Sequence, residues 1–119
     1  MDQPVPKVTD KDVERIAIRD FGKTQLSQVI DTLQEYGKQD WNRPGSPRVR
    51  LAILKLSNGD LDQLSKHTQA AIKDFRDVVC LAEYPRYTVE IGFEKVSKNV
   101  ARAVIDDDWR QYCEWLEKE

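Results

Sequence analysis

Between Ser46 and Ser57 the chain reads SPRVRLAILKLS, and a helix of this sequence has two apolar sides. At about 100° per residue, Val49, Ala52, Ile53 and Leu56 share one side while Leu51 and Leu54 share the opposite one. The polar positions are confined to two narrow seams, Arg48 with Lys55 and Arg50 with Ser57. A surface helix buries one stripe, so a helix that is apolar on both sides has to lie between neighbours. The fold expected from this is all-α: a single-domain bundle of five or six helices, with the segment at about 47–57 in its middle.

The same segment starts with the wrong charge. Ser46 and Pro47 suit the N-cap and first helical position, yet Arg48 and Arg50 follow at the positive end of the helix dipole, where carboxylates are favoured. From Trp41 to Gly59 the charged residues are Arg43, Arg48, Arg50 and Lys55, with no acid among them. Compensation therefore has to come from elsewhere, or the placement is coincidental. One source is intramolecular, with Asp74, Asp77 and Glu83 as candidate partners. The other is a bound phosphate or carboxylate, held by Arg48 and Arg50 with Trp41 as a wall.

Helix signals recur along the chain. Thr9 is placed to cap a first helix, with Asp12 reaching back and Val8 stapling onto Val13; Gly22 ends it. Residues 1–8 read as a flexible tail. A second helix from Thr24 carries Leu26, Val29, Ile30, Leu33 and Tyr36 and closes at Gly37, before the loop KQDWNRPGSP. After SNG, Asp60 and Gln63 resemble a capping box for a helix with Leu61, Leu64, Thr68, Ala71 and Ile72 inward. Asp74 caps the next, which carries Val78, Val79, Leu81 and Ala82 as far as Pro85. Ser97 caps a last helix with Ala101, Val104, Ile105, Trp109, Tyr112 and Leu116 inward.

One segment breaks the pattern. Tyr87, Val89, Ile91 and Phe93 alternate with polar residues or glycine, which is strand periodicity. A lone strand lacks the partner its backbone needs. An extended connection is expected, with a short helical turn or a strand paired across subunits as alternatives.

VRLAILKLSNGDLDQL, then DFRDVVCLAEYP and DDDWRQYCEWL, together resemble a family of small bacterial helical proteins over about residues 26–118. The shared motifs are mostly packing residues. The resemblance implies a bacterial cytoplasmic setting and no activity that can be transferred.

Other features narrow the function classes. With 19 basic and 21 acidic residues the net charge is −2, unlike the basic balance of most nucleic-acid binders. Helix, SNGD turn and helix do not make a DNA reader either, because Asp60 and Asp62 would face phosphates. No apolar run approaches the roughly 18 residues of a membrane span, and MDQPVPKVTDKD lacks the apolar stretch expected of a signal peptide. Cys80 and Cys113 read as buried, reduced thiols of a cytoplasmic protein. His67 is the only histidine and has no triad around it; pairing with Cys80 has only sequence separation to go on. Asp106, Asp107 and Asp108 fan over about 200° of a helix, a solvated face rather than a metal site, with Asp106 and Arg110 paired.

No catalytic residue, metal ligand or cofactor is therefore expected, nor nucleic acid or membrane as a partner. The expectation is a protein-interaction or accessory domain that meets an unidentified protein or a second copy of itself. The alternative is a small-anion binder built on Arg48, Arg50 and Trp41. The candidate interface is Trp115 with Asp108 beside it, since Trp115 falls about 60° beyond Tyr112 at the edge of the last helix's stripe. The competing reading has Trp115 simply covering the 85–95 connection.

Overall fold

A computed structural model of the chain describes residues 7–36, 46–91 and 98–118. Trp41, the expected caps Gly37 and Ser97, and all but the last two residues of the expected tail lie outside them. Among the described residues five α-helices form the bundle: α1 (Asp10–Phe21), α2 (Leu26–Leu33), α3 (Ser46–Ser57), α4 (Leu61–Glu83) and α5 (Lys98–Glu117). A 3₁₀ turn at Lys23–Gln25 leads into α2, and a π-helical turn at Tyr87–Ile91 follows α4. No strand occurs among the described residues, and the all-α expectation holds.

α1 starts and stops where its sequence says. The Asp12 carboxylate accepts the Thr9 N–H at 3.0 Å, and Gly22, at φ 84°, sends its N–H to the Ile18 carbonyl. Between these ends Val13, Ile16, Ala17 and Phe21 are buried. α3 is the element that both apolar sides require. Val49, Leu51, Ala52, Ile53 and Leu54 are all buried, with α4 and α1 packed against it. Its last residue, Ser57, is buried too and spends its hydroxyl on the Ile53 carbonyl at 2.6 Å.

The turn out of α3 needs its glycine. Asn58 and Gly59 are both left-handed, at φ 52° and 78°, and a Cβ on Gly59 would stand 3.0 Å from the Asp20 carbonyl oxygen. Asp60 then caps α4 by accepting the amides of Asp62 and Gln63. Its own N–H goes to the Ser57 carbonyl, so the expected capping box is a simple N-cap. α4 holds both helices expected here, as arms 61–73 and 75–83 meeting at a kink. Asp74 sits at φ −154°, ψ 96°, and its carboxylate accepts the Arg76 amide as an N-cap does.

Phe93 lies outside the described residues, and the segment at 87–91 is the clear correction. It is neither strand nor extended connection, because its backbone is satisfied without a second strand. The Thr88 N–H returns to the Tyr84 carbonyl at 2.9 Å and its hydroxyl reaches the Cys80 carbonyl. The Tyr87 N–H donates to Asp108 of α5 at 2.8 Å. Val89, on the apolar side of the apparent alternation, is 73% exposed, so no sheet face exists there.

α5 closes the bundle through aromatics and through its end. Tyr84, Trp109, Tyr112 and Trp115 form a column with ring centroids 6.1, 5.9 and 5.7 Å apart in succession. From α1, Arg19 donates to the carbonyls of Trp115 and Lys118, and Arg15 to that of Leu116.

Candidate functional site

The misplaced cations of α3 answer to buried acids and to backbone. On one seam, Arg48 donates Nε and a terminal nitrogen to the two carboxylate oxygens of Glu83, at 2.8 and 2.7 Å. Glu83 is fully buried near the end of α4. These bonds raise the Arg48 pKa above its ordinary value against the opposing pull of burial. On the same seam burial lowers the Lys55 pKa, and the field of Asp108 pushes part of the way back. On the other seam, Arg50 donates to the Tyr36 carbonyl at 2.8 Å and lies 3.7 Å from Asp10. That carbonyl is just past the end of α2, where a cation is favoured.

Arg48 and Arg50 therefore face different elements, α4 in one case and α1 with the end of α2 in the other. They do not converge on one ligand position. Trp41, the third member of the expected anion site, lies outside the described residues.

The interface candidates are occupied from within. Asp108 is buried at 1% exposure, holding the Tyr87 amide, whereas the run 106–108 reads as solvated in sequence. Asp106 pairs with Arg102, and Asp107 pairs with Arg86 and Arg110, in place of the expected Asp106–Arg110 pair. Trp115 is half-buried against the main core, in tilted contact with the Tyr112 ring and covered by the Arg19 guanidinium 5.1 Å above its ring.

One concavity is not revealed by the spacing of residues. A cleft of about 590 Å³ runs between α1 and α2. Its floor is Val13, Leu26, Ile30 and Leu33, and charged residues of both signs stand around it. The Arg50 bond beside α2's end and its approach to Asp10 at α1's start make α1 and α2 a hairpin, with Gly22 at the closed end. Leu26 and Ile30 read as core in sequence but remain half-buried here as floor. A cleft of this size with an apolar floor and a few polar groups is the usual form of a binding site.

No group of three His, Cys, Asp or Glu side chains among the described residues is placed to hold a metal. His67 is half-buried on α4, its pKa lowered by burial and by Lys66. Cys80 and Cys113 are free and half-buried rather than fully buried, each thiol pushed up by burial. No described helix is long and apolar enough to cross a membrane.

Buried phenols make the fold sensitive to alkali. Burial pushes Tyr84 up to about 12 and raises Tyr112 further, with the Glu83 field adding to both. The unfolded chain ionises tyrosine near pH 10 and cysteine near about 8.5. Groups raised on folding contribute stability that is whole below those values and lost as pH rises through the folded ones. The melting temperature should therefore fall steadily from about pH 9 towards 12. The Tyr112 hydroxyl is buried and has no hydrogen-bond partner among the described residues. Tyr112→Phe should gain about 1 kcal/mol at neutral pH and flatten the alkaline slope. Chemical denaturation at pH 7 and melting curves up to pH 11 check both.

No family model matches the chain, and neither a curated protein nor a solved structure matches it. The resemblance to small bacterial helical proteins thus gains no family match beside it.

Proposed function

We propose that this chain is a non-catalytic binding domain, an adaptor or accessory subunit, whose working surface is the cleft between α1 and α2. The observation that carries this is the cleft itself: an apolar floor left open among the described helices, with polar groups around it. The protein segment it holds would cover Leu26 and Ile30 as partner helices cover hydrophobic grooves elsewhere. A cytoplasmic setting goes with this reading, supported by two free, half-buried thiols.

Selection from a displayed random-peptide library tests it. Binders of the purified protein should protect α1 and α2 amides from hydrogen exchange and lose affinity for Ile30→Glu. Binders that ignore Ile30→Glu and protect another surface would overturn the reading.

A small-anion reading is favoured by one observation, the Arg50 guanidinium. It makes a single hydrogen bond, and its Nε is buried without a partner among the described residues. Arg48 adds little to it, because Glu83 takes its donors in a bidentate pair. A phosphate or carboxylate site there would raise stability by about 2.7 kcal/mol at a hundred times its dissociation constant. The shift should vanish in Arg50→Ala; a shift that survives would rule the residue out.

A further inference from the structure

We propose that the occupant of the α1–α2 cleft is an amphipathic helix carrying lysine or arginine beside its apolar face; this rests on the cleft being the working surface. Shape gives the helix. Leu26, Ile30 and Leu33 stand at i, i+4 and i+7, a single ridge along α2 that faces the cleft. From Leu26 to Gln34 the wall is about 12 Å long, a little over two helical turns. A partner helix lays an i, i+4, i+7 stripe of its own along such a ridge.

Charge gives its sign. Three carboxylates line the cleft, Asp10 and Glu14 from α1 and Asp31 from α2. Glu14 and Asp31 are exposed and make no ion pair or hydrogen bond among the described residues. Asp10 is 79% exposed, and its 3.7 Å approach to Arg50 is too long for a hydrogen bond. Of the two cations among the described lining residues, Arg50 is largely buried and tied to the Tyr36 carbonyl, while Lys23 stands towards the closed end of the hairpin. The open charge is therefore mostly negative, carried by both walls. A helix with basic residues flanking its apolar stripe meets an acid on either side. An acidic helix would bring like charges together there, an arrangement that disfavours a partner.

Two labelled peptides of about 14 residues, roughly four turns, share one leucine stripe and carry either lysine or glutamate elsewhere. Fluorescence anisotropy measures their binding to the whole protein. The lysine peptide should bind at least about tenfold more tightly, and added salt should weaken it. Glu14→Lys with Asp31→Lys should remove most of that preference, and Glu14→Gln with Asp31→Asn about half of it on a logarithmic scale. Asp62→Lys with Glu114→Lys changes the net charge equally on exposed positions away from the cleft, and should leave most of the preference. Circular dichroism confirms that each variant is folded.

If both peptides bind equally well and Ile30→Glu abolishes both, the inference about charge falls while the cleft remains the working surface. If the distant reversal weakens binding as much as the cleft reversal, the attraction is to overall charge and the inference falls. If neither peptide binds, or Ile30→Glu changes nothing, both the inference and the reading beneath it fall.

Discussion

Arg48→Ala is expected to lower folding stability by about 3 kcal/mol, measured by urea denaturation at neutral pH. An exposed ion pair at the same place would be worth at most about 1 kcal/mol, which is what the sequence suggests. Burial of the partner makes the difference. Arg48 keeps some solvent access, but Glu83 has none, and its two oxygens accept the two guanidinium bonds. Truncating the arginine strands a carboxylate in the interior, and the stranded charge is what costs. The double variant Arg48→Met with Glu83→Leu removes both charges and fills similar volume. It should be more stable than Arg48→Ala alone. A loss below 1 kcal/mol in Arg48→Ala would show that Glu83 finds water or another donor.

The second large effect concerns the aromatic column. Trp115→Ala should cost about 3 kcal/mol and Trp109→Ala no more than that, with the molecular mass by light scattering unchanged in both. Position around the helix favours the opposite order, with Trp109 inward and Trp115 at the stripe's edge. Packing reverses it. Trp115 is half-buried against the main core, in tilted contact with Tyr112 and roofed by Arg19. Trp109, half-buried as well, lies between Tyr84 and Tyr112, farther along the column and outside the set packed against the main core. A small loss in Trp115→Ala together with a change of mass would return Trp115 to an interface.

Local signals carried most of the fold. Thr9, Asp60, Asp74 and the glycines at 22 and 59 act within a few residues of themselves, so caps, turns and the kink in α4 were readable from neighbours alone. The two apolar sides of α3 likewise required a sandwiched helix. What failed depended on distant partners. Nothing near Asp108 announces that it meets the Tyr87 amide and the Lys55 charge from other elements, so it passed for surface. The same bond helps to hold residues 87–91 as a π-helical turn, whose alternation then means nothing. The cleft was hidden for a related reason. Ile30 belongs to a sound apolar stripe, and only the assembled bundle shows that no described helix covers that part of it. Of the arginines, the need for compensation was legible; which acid would be buried was not.

The clasp from α1 onto α5 governs how the molecule comes apart. A helix leaves its last four carbonyls without partners. Here Arg19 and Arg15 reach acceptors at Trp115, Leu116 and Lys118, across 96, 101 and 99 positions of sequence. The final turn of α5 is thus incomplete unless α1 is in place, and the first and last helices described should fray together. Closing so long a loop costs chain entropy before any bond is gained, so the clasp forms late. α3 and α4, adjacent in sequence, can pair first and present the surface on which it closes. In hydrogen exchange the amides of α1 and of α5's last turn would then open as one cooperative unit, separate from the α3–α4 pair.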